Sequence, residues 1–387
     1  MLERTVIDHA RAGYKSFLDS LSNGSSFKLT AASDASPYAR CFAIFGLHLL
    51  QCNDRLSSNS ELLAKSIRND LDLLRDKRRE AGFSLKFDKA YLQLLTFSLS
   101  ALAVLGRLKS EPLEDHVLPL VSEDVETDLG SAGALDGVPQ SGNQAMFLAI
   151  MLSHARDYLG IDVSNSIELW ESLHLKSMNE FGYWGPSKTM SHLQFQNGYH
   201  QYEMLEYFQA ENTPWGKAAD NVALLADKEG HYSPYPGGGG CYDYDAVYIL
   251  TSAGFDSVMR HKDLLLLTAE TILVEQNADG GFCESHRIRP RSFDNMLLSF
   301  KHAFAAKGEA KIERIRQAIT LLRPKHSRIH THWSQYSRCW NESDLWDSWF
   351  RMLTIARIDI ALEPVRINEW GFIDYPGIGF HHLLRNR

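Results

Sequence analysis

A short phrase recurs through this chain: a glycine beside an aromatic, then a loop, then a mostly apolar helical stretch. The fullest copy is Gln276-Asn277-Ala278-Asp279-Gly280-Gly281-Phe282. Others are Gly82-Phe83, Gly182-Tyr183-Trp184, Gly230-His231-Tyr232 and Gly371-Phe372, and Asp136-Gly137-Val138 is a copy without its aromatic. They fall near positions 82, 137, 183, 231, 281 and 371, at intervals of 55, 46, 48, 50 and 90. A period of this length means stacked copies of one supersecondary unit. The last interval is almost two periods, which predicts a degenerate copy around Trp333.

Apolar stretches follow the phrases at 90–105, 143–159, 197–208, 242–253 and 293–306. A stretch at 37–50 opens the series and another at 345–362 closes it. Between them lie segments whose charges recur every three or four residues, at 60–79, 167–179, 217–227, 262–275 and 311–322, as on the solvated face of a helix. Buried helices alternating with amphipathic ones predict an all-α chain with an inner ring wrapped by an outer ring. No Pro/Ser-rich linker or charge block divides it, so one domain over residues 1–387 is expected.

Gln276, Gly280 and Phe282 match the repeat motif Q-x3-G-x-W with Phe in place of Trp. In this the chain resembles the (α/α)6 toroid of terpenoid cyclases and protein prenyltransferases, with squalene-hopene-cyclase-like repeats. The resemblance implies that each phrase turns the chain into an inner helix beside a central cavity. Toroidal polysaccharide lyases and glycoside hydrolases share that architecture, so fold alone does not choose a chemistry.

Composition removes several classes. The chain is 44% hydrophobic and 23% charged, with net charge −8 and its Lys and Arg scattered. That balance argues against nucleic acid or anionic lipid as the main partner. The five cysteines include no CxxC, so neither a disulfide framework nor a structural zinc site is expected, and a cytoplasmic location fits. Cys241 resembles the zinc-ligand Cys of prenyltransferases, but Gly239 stands where their Asp would be. There is no P-loop, no GxGxxG and no D-D-x-x-D run, so no cofactor or metal is expected. The N-terminus has no signal-peptide apolar region, and the stretch 92–105 is too short and polar to span a membrane. No stretch stands out as a membrane-docking segment.

The first turns of the inner helices are where chemistry is expected, and they are polar. The densest runs from Tyr235 through four glycines to Cys241-Tyr242-Asp243-Tyr244-Asp245. Asp243 reads as a helix cap or as an acid. Asp245, deeper in the helix, reads as a carboxylic acid kept protonated by aromatic surroundings. Asp243-Tyr244-Asp245-Ala246 resembles the D-x-D-D acid motif of class II terpene cyclases with its last Asp replaced. That likeness implies Asp245 as proton donor, with His200 or Asp243 assisting.

A second cluster is Gln196, Asn197, Tyr199, His200 and Glu203. Asn197, Tyr199 and His200, with Arg287 or Arg289, suit β-elimination on a uronate: Asn neutralises the carboxylate while His or Tyr moves the proton. A self-satisfied polar network is the alternative. Asp245 with Asp294 would instead suit glycosidic hydrolysis. Asn143, Tyr242, Trp184, Trp346 and His381 are candidate substrate contacts, the tryptophans as cation–π or sugar-stacking walls. The expected ligand is a small molecule or an oligosaccharide. An acid-initiated cyclase or isomerase is the first reading, a glycan lyase or hydrolase the second, and a non-catalytic binding scaffold the third.

Overall fold

The computed structural model describes residues 2–377 apart from 187 and 291. Apart from a two-residue antiparallel ladder, Ser22–Asn23 with Ser26–Phe27, the named elements are helices. In chain order they are α1 (Arg4–Ser20), α2 (Pro37–Leu49), α3 (Asn53–Glu80), α4 (Lys89–Val104), α5 (Glu114–Val117), α6 (Val125–Ala132), α7 (Ser141–Leu159) and α8 (Ser164–Lys176). Then come α9 (His192–Phe208), α10 (Trp215–Ala223), α11 (Gly240–Ser252), α12 (Phe255–Arg260), α13 (Lys262–Val274), α14 (Phe293–Ala305), α15 (Gly308–Leu321) and α16 (Leu345–Leu362).

Helices α2, α4, α7, α9, α11 and α16 form the inner ring. Each packs on the next, and α16 returns to α2 to close it. Most of their residues are buried on every side, as an all-round apolar helix requires. The outer helices bury one stripe only. In α3 that stripe is Leu56, Leu63, Ala64, Ile67 and Leu71, and in α13 it is Leu265, Thr268, Ala269 and Ile272. Each fully buried Leu in such a stripe contributes about 2 kcal/mol. Outer helices α1, α3, α6, α8, α10 and α13 lie against their inner neighbours, giving the expected α/α toroid.

The phrases are turns that stitch the two rings. In three copies the same pair of backbone bonds closes the turn: Asn179 N to Tyr183 O with Gly182 N to Asn179 O, and the equivalents at Asp227–His231 and Asn277–Gly281. Gly280 has φ +85°, and a Cβ there would meet the Gly13 carbonyl oxygen at 2.1 Å. The side chain of Gln276 spans the joint, donating to Ala10 O and Gly280 O. The aromatic that ends each copy (Trp184, Tyr232, Phe282) is almost fully buried.

Two expectations change. The stretch 293–306 is helical but not an inner helix. As α14 it pairs with α15 in a hairpin outside the ring, with Phe293, Leu297 and Phe304 exposed. Apolar content predicted a buried helix; nothing among the described residues covers this face. No phrase copy forms around Trp333 either. Instead residues 283–343 leave the ring after Phe282 and return at Asp344, whose N–H donates to Phe282 O. The segment at 371 follows the last inner helix and crosses beneath the ring. Gly371 N bonds Leu49 O, and Tyr375 bonds His154 on α7.

Candidate active site at the mouth of the ring

The N-terminal turns of the inner helices share one end of the ring. Ser191 caps α9 through Gln194 N, and Asp344 caps α16 through the N–H groups of Trp346 and Asp347. No side chain caps α11. The four glycines before it let the chain press close: a Cβ on Gly240 would lie 3.0 Å from Asp347 Cα, and one on Gly239 would lie 2.8 Å from Glu284 Oε1. The close approach they permit is to α16 and to the 284–287 loop.

Two residues of α-helix turn the chain by about 200°, so Asp243 and Asp245 point to opposite sides of α11. Asp243 faces the outer ring and is fully buried. Its carboxylate accepts from Tyr232 N at 2.9 Å and from His231 Nδ1 at 2.8 Å, with Arg351 at 3.5 Å. Arg351 and His231 also reach Glu275, at 3.2 and 3.4 Å. The two carboxylates outweigh burial and hold the His231 imidazolium up to about 10. Asp243 is thus no helix cap; its carboxylate anchors a phrase to α11.

Asp245 faces the interior, on the side of α11 that carries Cys241 and Tyr248. It is 3% exposed and makes no side-chain hydrogen bond or ion pair among the described residues. Burial, then the charges of Glu203 and Asp243, push its carboxyl well above the usual carboxylate range. The surrounding rings form one belt. Tyr199 lies edge-on to Tyr244 and Tyr248, and Tyr244 packs on Phe350. Phe350 meets Trp346 at 4.4 Å between centroids, and Trp346 packs on Trp333, Phe42 and Phe97. The belt joins α9, α11, α16, α2 and α4.

His200 lies tilted beside Tyr199, and its buried Nδ1 has no hydrogen-bond partner among the described residues. Burial, with Lys89 adding to it, lowers the imidazole to about 3, so it is neutral. Lys89, in the first turn of α4, bonds Gln140 Oε1 at 3.1 Å and lies within electrostatic reach of His200 and Cys241. Glu203 is buried one turn below Tyr199 and bears on Tyr199, Tyr244, Tyr248 and Asp245.

A second acid group sits above. Glu284, on the excursion, accepts from Tyr235 Oη, and Arg338 reaches it at 3.1 Å. Burial and then Asp347 raise its carboxyl to about 7, against the pull of Arg338. Arg338 also holds Asp344 and Asp347, at 2.5 and 3.0 Å. Asp245 and Glu284 both lie within electrostatic reach of Cys241 and Tyr242, at the start of α11.

The remaining candidates separate. Gln196 and Asn143 are half-buried, in the second turn of α9 and the first of α7, Tyr242 lies beside Tyr235, and Trp346 is in the belt. Asn197 turns away: its amide caps the approach to α7, accepting from Gln140 N and donating to Val138 O. Trp184 is buried between α8 and α9 and donates to His174 O. Arg287 pairs with Glu229 at 3.1 Å, while Arg289 bonds its own loop. Asp294 is exposed on α14, apart from Asp245. His381 lies outside the described residues.

The sequence reading missed Lys89, Glu284 and Arg338. Lys89 could have been found, since it opens an inner helix. Glu284 and Arg338 lie on the excursion, where no periodicity applies. Among the described residues, Asp72, Asp115 and His116 come close enough to share a metal ion. They lie outside the ring, and Arg68 and Arg75 already bind Asp115 at 2.7 and 2.9 Å. No described helix is long and apolar enough to cross a membrane.

The ring has counterparts among solved structures. A glycosidase variant bound to glucose matches 93% of this chain and 100% of its own, with TM-score 0.50 and 10% identity. The type II terpene cyclase MstE from Scytonema matches 93% and 99%, with TM-score 0.45 and 13% identity. An MstE variant bound to its substrate, geranylgeranyl dihydroxybenzoate, matches 92% and 98%, with TM-score 0.46 and 12% identity. At these identities the likeness is one of fold. No protein-family model matches the chain, and no curated protein matches it.

Proposed function

We propose that this chain is a single-domain enzyme that starts a cyclisation or isomerisation by protonating a small, largely apolar substrate, with Asp245 as the acid. The observation that carries this is a buried carboxyl with no hydrogen-bond partner among the described residues, set in a belt of aromatic rings. A carboxyl kept neutral can donate its proton to an alkene or epoxide. The cation that forms is stabilised by the faces of Tyr244, Phe350 and Trp346. Neutral His200, with Nδ1 unoccupied, accepts the proton lost at the end.

The test is incubation with prenyl olefins and epoxides, followed by chromatography and mass spectrometry. Cyclised or isomerised product from the parent, absent from Asp245→Asn, is expected. No product from any such substrate, with glycoside cleavage that survives in Asp245→Asn, would sink the reading.

Glycosidic hydrolysis is a second reading, favoured by Glu284 poised near neutrality at the same mouth as Asp245. It predicts aryl-glycoside cleavage lost in both Glu284→Gln and Asp245→Asn. A uronate lyase has less support, because Asn197 is committed to the α7 approach and Arg287 to Glu229.

A further inference from the structure

The α14–α15 hairpin carries a pattern that the ring does not use. Between 287 and 328 the sequence holds eleven Lys and Arg against three Asp and Glu, a net +8 in a chain whose total is −8. The average charge therefore hides a basic segment set against an acidic remainder. The hairpin buries Ala303, Ala310, Arg314, Ala318 and Leu321. It is pinned to the rim of the mouth, where Glu313 accepts from His192 N and Leu193 N at the start of α9 and Arg314 donates to Leu225 O.

Its outer face is apolar. Phe293, Leu297 and Phe304 are 72%, 61% and 64% exposed, and their spacing of four and seven puts them in one stripe of α14. Lys301 falls in the same stripe, and Lys311 lies 4.8 Å from the Phe304 ring centroid. Lys301, Lys307, Arg316, Arg323 and Lys325 are exposed and make no ion pair among the described residues. Large apolar side chains with Lys301 in their stripe, and further unpaired cations on α15 and its flanks, suit the boundary between headgroups and acyl chains. Long cationic stems can lie along apolar surface while their charges reach phosphate. Two such hairpins would repel each other, since each carries the same charge.

We propose that this hairpin docks the protein on an anionic bilayer, with Phe293, Leu297 and Phe304 entering the interface and the lysines and arginines on lipid phosphates. The mouth of the ring then opens beside the membrane surface.

The test is sedimentation of the full chain with vesicles of phosphatidylcholine alone, or with phosphatidylglycerol added. Two variants are compared: Phe293→Ser/Leu297→Ser/Phe304→Ser, and Lys301→Glu/Lys307→Glu/Arg316→Glu. All six positions are exposed, and unchanged thermal melts confirm that the variants fold. The parent is expected to bind phosphatidylglycerol vesicles roughly tenfold or more better than phosphatidylcholine alone, less tightly as salt rises, and at least tenfold better than either variant. Failure of the parent to bind, equal binding to both vesicles, or undiminished binding by either variant overturns the proposal. Self-association without lipid that the serine variant abolishes also overturns it, and makes the face an interface between copies.

Discussion

At the scale of residues, the two aspartates of α11 differ in what surrounds them. Asp245 meets buried rings and Glu203, while Asp243 meets His231 and Arg351. Asp245→Asn should lower turnover by about 100-fold or more, the ordinary size of a general-acid effect. Parent activity should fall as pH rises through the raised pKa of Asp245. Stability carries the same sign. The unfolded carboxyl ionises near about 4, whereas the native one keeps its proton, so folding weakens as pH climbs above that value. Asp245→Asn should therefore melt above the parent at pH 7 and level with it near pH 4. His231 gives a slope of the same sign in a higher window, because its folded value too is raised, to about 10. Its contribution is complete below its unfolded value, about 6.5, and is lost as pH rises through about 10. His231→Gln should flatten the pH dependence of the melting temperature across that window. Arg351→Met leaves buried carboxylates uncompensated and should cost about 3–5 kcal/mol in denaturant unfolding. The sequence showed two acids at a helix start, but not which one a distant cation would neutralise. That partner, Arg351, lies more than a hundred residues away.

At the scale of elements, the phrase was legible because it is local chemistry. Its fuller form can be read in three copies: Asn or Asp, two residues, Gly, one residue, aromatic. The Asn or Asp backbone closes the turn, and the glycine takes a conformation other residues resist. Gly280→Ala adds backbone strain and a clash with the Gly13 carbonyl. It should cost about 1–3 kcal/mol, read as a lower denaturation midpoint with unchanged slope. Helix α14 was misplaced for a physical reason. Its phenylalanines and leucines specify an apolar surface, and periodicity cannot say what will cover it. Asp294 went astray with it.

At the scale of the whole molecule, the ring has no free edge between α16 and α2. Phe45 and Trp349 pack across that closure at 5.5 Å between centroids. A closed ring should unfold as a unit, so far-UV circular dichroism and tryptophan fluorescence should report coincident thermal transitions. Trp349→Ala, at a fully buried position, should cost about 3–5 kcal/mol and lower both transitions together. Separated transitions would instead show that parts of the ring melt independently. The ring was legible from the period, the alternation of apolar and amphipathic segments and the family resemblance, but the mouth was not, because part of its lining comes from the excursion at 283–343. That excursion starts and ends on one hydrogen bond, between Phe282 and Asp344. Closing a longer loop costs little extra entropy, so the length of the insertion weighs little on the frame at this joint. Glu284, Trp333 and Arg338 thus come from an insertion that is tied to the frame by side chains: Arg338 by Asp344 and Asp347, Trp333 by Phe42 and Trp346. An exchange of this insertion would re-specify the entrance only if it kept a cation for Asp344 and Asp347.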